Sequence, residues 1–333
     1  MAQRMPYAPD MVPKISDGRT IVRKLFEVSS MRWARTALSL REAERESRFL
    51  RSQSDATGCK IFEPESFITG LSHKPGAATL FILGSGSSVN GLTQENFAHI
   101  AMHRSVGINN WGVHAFIPDV YALESVPQVG DGKDLQRAIK LLHRDDIQLA
   151  HPSVLALRPA TAGAGNDLEL LPRPLRSRTF LYGRISPSTR RHHNLTRDAG
   201  ALLKKLSARH PAVFLDSGAS ILRMVGLGLA LGLSRIVFVG VDLNTTSYFW
   251  EDNTKYAFDA ARPAPHNNQQ ARVNDGSARQ LHETMSTGSR PFSVTEMLSA
   301  LAPALASSGG IQIFVASPTS ELAKFLPVYE WPR

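Results

Sequence analysis

The stretch Thr79–Gly91, TLFILGSGSSVNG, decides the fold. Five apolar or β-branched residues run straight into a turn of glycines and serines. An apolar run this short, without polar alternation, reads as a strand buried on both faces, the habit of parallel sheets. Gly84 and Gly86 permit a tight turn and close approach of a ligand. Ser85, Ser87 and Ser88 add hydroxyls, and a helix beyond would present amides to an anion. The turn is neither of the two commonest phosphate cradles. GSGSSV does not complete G-x-G-x-x-G, and it lacks the lysine of a P-loop. Two readings stand: a ligand-binding turn at the carboxyl end of a strand, or a plain exit from a buried strand.

Working outward, the same style repeats. GLTQENFAHIAM reads as a helix, SVGINNW as a second strand, and HAFIPDVYALES as a third strand with its exit. TFLYG and AVFLDSG are further strand segments, RDAGALLKKLSARH is a helix, and ASILRMVGLGLALGL has the apolar density of a buried one. RIVFVGVDL is a buried parallel strand by composition. VTEMLSALAPALASSGG gives a helix with a glycine stop, and IQIFVAS a last strand. Alternating helices and apolar strands predict an α/β protein: a Rossmann-like parallel sheet with a smaller lid. Residues 1–75 read as a partly helical N-terminal extension. Residues 76–242 with 293–330 form the sheet domain, and the polar, aromatic-dotted stretch 243–292 forms a lid or insertion.

The bulk numbers narrow the partners. With 42% hydrophobic and 20% charged residues, the 333-residue chain fits a globular protein. A formal charge of +9 favours anionic partners. The single cysteine, Cys59, excludes a disulfide framework and a thiolate metal cluster. No apolar leader is seen at the start, and the longest apolar run is broken by Ser234 and Arg235. The expected location is therefore cytoplasmic, with peripheral contact at the inner membrane in view. The basic runs RPLRSR and STRRHHN lack interleaved aromatics, so no sequence-reading nucleic-acid module is expected.

Candidate site residues lie at strand exits. Asn109 in GINNW offers both donor and acceptor to a ribose, base or phosphate, or else closes an Asx-turn. Ser217 and Gly218, in DSG, stand before the apolar helix, where Ser217 can cap it or touch a ligand. Asp242 ends RIVFVGVD, either as a site residue or as a loop anchor. Stretch 243–292 carries Tyr248, Tyr256, His266 and His282. Tyrosine hydroxyls can neutralise charge on a leaving phosphate, and histidine is the natural general base near neutral pH. No residue spacing defines a metal site.

The ordered set LFILGSGSSV, GINNW, SGASILRMVGLGLALGLSRIVFVGVDL, KYAFD and VASPTSELAKFLP resembles the bacterial sialyltransferases that use CMP-activated sialic acid. The resemblance spans roughly residues 78–327 and is firmest in its last third. It implies a single-domain, GT-A-like variant of the sialyltransferase type, acting without a metal and with inversion. No cofactor is implied beyond the CMP-sugar donor. A glycan or glycolipid acceptor, anionic in character, is implied as partner, and a homo-oligomer is compatible with it. By position, Gly84, Ser85, Gly86, Asn109, Ser217, Gly218 and Asp242 would line the nucleotide pocket. Tyr256 and Tyr248 would contact the phosphate, and His282, 26 positions beyond Tyr256, would be the base ahead of His266. The family carries Asn where this chain has Ser85. More distant relatives sharing the architecture transfer Kdo from CMP, so that donor stands as an alternative, as do another nucleotide-processing α/β enzyme and a non-catalytic polyanion-binding module.

Overall fold

All five residues of the TLFIL run are buried in a strand. The computed structural model describes residues 32–71, 73–74, 76–108, 110–124, 138–157, 170–189, 191–244, 247–251 and 292–332. In chain order, helix α1 (Arg32–Thr57) leads to strand β1 (Lys60–Ile61) and helix α2 (Pro64–Gly70). Strand β2 (Thr79–Leu83) follows, then helix α3 (Gln94–Ala101), β3 (Arg104–Ile108) and β4 (Val120–Glu124). Helix α4 (Asp145–Ala150), β5 (Ser153–Leu157), the short α5 (Arg173–Arg176) and β6 (Thr179–Ile185) carry the chain to one side. Helix α6 (His192–Arg209), β7 (Val213–Leu215) and α7 (Ser220–Ala230) bring it back. Strand β8 (Arg235–Val239), α8 (Val294–Gly309) and β9 (Gln312–Val315) complete it.

The described strands form one sheet in the order β1-β6-β5-β4-β3-β2-β8-β9, with β7 paired to the end of β6. Every pairing between these strands is parallel. All carboxyl ends therefore share one edge. The chain steps away from β2 through β3 to β6, then returns to lay β8 on β2's other side. Strand order reverses between β2 and β8, and a crevice opens at such a reversal in this class of sheet. The Rossmann-like α/β architecture expected from the apolar strands is the architecture present.

The N-terminal boundary differs from the sequence expectation. Residues 60–71, assigned to an extension, belong to the sheet domain. β1 pairs with β6 in register Lys60↔Phe180 and Ile61↔Leu181. Phe62 and Phe67, both fully buried, meet edge-to-face with centroids 5.0 Å apart. Phe67 then reaches Phe180 at 4.9 Å, and Phe62 reaches Phe214 at 5.5 Å. Each buried ring contributes roughly 1.5–3 kcal/mol, which fastens this segment to β6 and β7. Arg35 of α1 adds a buried ion pair with Asp198 of α6.

Two helices start on reciprocal caps. Asn96 and Thr93 bond each other's backbone amides ahead of α3, and Glu296 and Ser293 do the same ahead of α8. α8 stops at Gly310, which takes a left-handed φ of 65°. The α8 cap fixes the neighbouring Phe292, whose carbonyl enters the site described next.

Candidate functional site

Beyond Leu83 the turn keeps bonding to the exit of β8. The Gly84 amide donates to the Val239 carbonyl at 2.7 Å, and the Gly86 amide to the Gly240 carbonyl at 2.7 Å. The glycines are required by this approach of two backbones. A methyl on Gly84 would sit 2.6 Å from the Gly240 oxygen, and one on Gly86 2.5 Å from an Asp242 carboxylate oxygen. Gly240, with φ of 64°, would drive its own Cβ to 2.5 Å from Val89. Close backbone packing at the strand-order reversal thus accounts for Gly84 and Gly86.

Asp242 occupies the place an anion would take. Its carboxylate accepts the Ser88 amide at 2.9 Å and also the Ser88 hydroxyl. Ser88 lies in the short 3-10 segment Ser87–Gly91 that follows the turn. The Ser88 amide is therefore already taken, and the helix expected to offer its amides, α3, begins further on, behind the Thr93 cap. An anion approaching Ser88 would meet a carboxylate. Ser85 is buried, and among the described residues its hydroxyl has no hydrogen-bond partner. Its carbonyl accepts the Phe249 amide at 3.0 Å.

That bond brings in Tyr248, which forms an antiparallel bridge with Gly86. The Tyr248 ring stacks on Trp250, with centroids 4.5 Å apart and planes at 8°. Asn90 holds the segment by donating its amide to the Phe249 carbonyl at 3.0 Å. The buried Phe249 ring faces Trp111 at 5.3 Å, and Trp111 stacks on His114 at 4.7 Å. His114 Nδ1 accepts the Phe116 amide at 2.9 Å, so the proton of the neutral ring sits on Nε2. Burial, and then the Arg144 charge, push the His114 pKa down to about 4. The structure thus brings Gly84, Ser85, Gly86, Asp242 and Tyr248 together at the strand-order reversal. The buried aromatic cluster of Trp111, His114, Phe249 and Trp250 beneath it was not singled out from the sequence.

Ser217 and Gly218 lie elsewhere on the same edge. Ser217 does not cap α7, because its hydroxyl donates to the Phe292 carbonyl at 2.6 Å. Asp216 takes the helix entrance instead, accepting the Gly218 and Ala219 amides at 2.8 and 3.0 Å. Gly218 has φ of 83°, a conformation that suits glycine. The other Asp216 oxygen meets Arg184 at 2.8 Å and Arg223 at 2.9 Å. Arg223, wholly buried, also pairs with Glu124 at the end of β4. Burial alone would push the Asp216 carboxyl up, but Arg223 and Arg184 together hold it below its ordinary range. Ser220 also bonds Glu124, so α7 begins over β4. Its later turns pack on β2 and β8, where Gly228 faces Leu80 and Ile236. Arg223 was legible in principle, as the one charge inside the apolar stretch ASILRMVGLGLALGL.

Asn109, Tyr256, His266 and His282 lie outside the described residues. Among the described residues, no group of three His, Cys, Asp or Glu side chains could hold a metal ion. No described helix is long and apolar enough to cross a membrane.

No family model matches the chain, and no curated protein matches it either. Among solved structures, the chain is similar to the sialyltransferase CstII from Campylobacter jejuni in complex with cytidine-5'-monophosphate. Identity is 16%, over 75% of this chain and 84% of that one, with a TM-score of 0.39. Two substituted forms of the same enzyme bound to CMP give 15% and 14% identity and TM-scores of 0.40 and 0.41. Each match covers 75% of this chain and 86% of the other. Values this low leave the chemistry of the site to its own residues.

Proposed function

We propose that the chain is an inverting, metal-independent glycosyltransferase. It would move sialic acid, or a related 2-keto sugar acid such as Kdo, from a CMP donor to a hydroxyl of a glycan acceptor. One relationship carries this reading. The Gly84–Gly86 turn lies against the Gly240–Asp242 exit where strand order reverses, with Tyr248 bridged to Gly86. Parallel sheets bind nucleotides at such a place, and the residues there belong to the stretches that resemble the CMP-using family.

Each group then has a task. Because Asp242 holds the Ser88 amide, the turn faces the nucleoside, whose hydroxyls and amine can donate to it. The phosphate falls to Tyr248 and Tyr256, whose hydroxyls donate to it as the bond to the anomeric carbon breaks and CMP leaves. His282 takes the proton of the acceptor hydroxyl as that oxygen attacks from the opposite face. Asn109 is assigned to the same pocket, whereas Ser217 and Gly218 serve the α7 entrance, with the Ser217 hydroxyl held by the Phe292 carbonyl. Action at the cytoplasmic face of the inner membrane, where glycolipid acceptors are built, fits the basic charge.

Calorimetric titration with CMP tests the reading. Wild type binds CMP, and Gly86→Ala, which drives a methyl into Asp242, weakens binding at least tenfold. Unchanged CMP affinity in a folded Gly86→Ala protein, or no CMP binding by wild type, contradicts it.

A further inference from the structure

Beside the strand-order reversal lies a concavity that the donor reading leaves unused. It measures about 350 Å³ and is lined by Asn244, Thr319, Ser320, Glu321, Ala323 and Lys324, with Pro318 at its rim. Its walls come from the segments that follow β8 and β9, so it opens on the sheet's working edge. Asp242 joins the two places. Its carboxylate holds Ser88 of the glycine turn, while its carbonyl accepts the Glu321 amide at 2.9 Å. The Ser320 hydroxyl, donating to the Val241 carbonyl at 2.6 Å, fastens the second wall to the same exit.

Between Asp242 and Asn244 the backbone is strained. Leu243 has φ of 61°, a left-handed conformation that a branched side chain rarely adopts. Strain of this kind persists where surrounding structure enforces it, and it collects at ligand clamps. Here it turns the chain so that Asn244 lines the concavity and its side-chain amide donates to the Thr319 carbonyl.

The lining selects a ligand class. Among the described residues it holds no aromatic or large aliphatic side chain, which argues against a nucleobase or an acyl chain. Among the described lining residues the one cation, Lys324, is paired with the one carboxylate, Glu321, which leaves no net charge there to attract a phosphate. What remains is hydrogen-bonding capacity: the Asn244 side-chain carbonyl, the position of the Thr319 hydroxyl left over from its bond with the Ser317 hydroxyl, and the unused positions of the Glu321–Lys324 pair. A volume of 350 Å³ admits a sugar ring with its hydroxyls.

We propose that this concavity is a glycan subsite that takes an uncharged, hydroxyl-rich sugar ring. As the place of the acceptor, it rests on the transferase reading above. The Asp242 backbone would then set the distance between donor and acceptor.

Saturation-transfer NMR on the full chain tests this, with galactose, glucose, mannose and N-acetylglucosamine as probes and CMP titrated in parallel. At least one sugar receives saturation from wild type. Ala323→Trp, which fills the concavity, abolishes that signal, and Asn244→Ala weakens the sugar about fivefold by removing one hydrogen bond. Neither substitution changes CMP affinity. Should none of the four sugars bind, or should binding persist in both variants, the subsite is refuted. CMP failing to bind while a sugar binds and is lost in Ala323→Trp would overturn the transferase reading and leave the subsite standing.

Discussion

The Asp242 carboxylate accepts the Ser88 amide at 2.9 Å, so the exit of one central strand fixes the turn that leaves its neighbour. Both residues sit at the strand-order reversal, 154 positions apart in the chain. Asp242→Ala would strand the Ser88 amide and hydroxyl in a partly buried place, at a cost of about 1 kcal/mol. Asp242→Asn keeps an acceptor and should lose less. Urea denaturation ranks the three proteins, and CMP affinity should fall in the same order.

The glycines at the reversal should be far less replaceable than glycines of the same backbone conformation elsewhere. Gly240 and Gly232 have φ of 64° and 66°. A methyl on Gly232 meets nothing within 4 Å, whereas one on Gly240 meets Val89 at 2.5 Å. Both alanine variants bear the left-handed penalty of about 1–2 kcal/mol. Gly240→Ala should lose a further 1–3 kcal/mol, roughly, to overpacking. Thermal unfolding of the two variants side by side reads the difference.

Arg223 should behave as the keystone of a buried ionic cluster. Arg223→Met leaves Glu124 and Asp216 without their shared partner and should cost about 3–5 kcal/mol. Adding Glu124→Gln removes one of the stranded charges and should restore part of that loss. The coupling appears as non-additivity in a double-mutant cycle measured by denaturation.

A pH dependence follows from His114. Its pKa, near 4 in the folded protein, lies below the ordinary value of 6.5, because burial and then Arg144 disfavour the charged ring. Between those values the unfolded chain binds a proton that the folded chain refuses. The stabilisation is therefore complete above pH 6.5 and is lost as pH falls toward 4, by on the order of 3 kcal/mol. His99 and His103 are shifted in the same direction, chiefly by burial, and add to the slope. His114→Asn preserves an acceptor for the Phe116 amide and should flatten the stability profile over this range.

Much of this architecture is legible in the chain. TLFIL and RIVFV show their depth because both faces are apolar, and the glycines at 84 and 86 mark a close approach. Sequence patterning cannot say what approaches: here it is the backbone of β8, which no local signal links to β2. Phe62 and Phe67 reside in a stretch whose helix and two-residue strand carry no parallel-sheet signature, so their burial against β6 is a tertiary fact. The α7 entrance turns on a competition between adjacent residues. Asp216 and Ser217 can each cap, and the outcome depends on Phe292, 75 positions from Ser217, which draws the serine hydroxyl away.

The central claim is transfer from a CMP donor. The most direct test incubates the protein with CMP-sialic acid and with CMP-Kdo, in the presence of EDTA, and follows CMP release. The account predicts release from one of the two donors, unaffected by EDTA and reduced at least a hundredfold in His282→Ala, which should still bind CMP. Release from neither donor, or full release by His282→Ala, would contradict it.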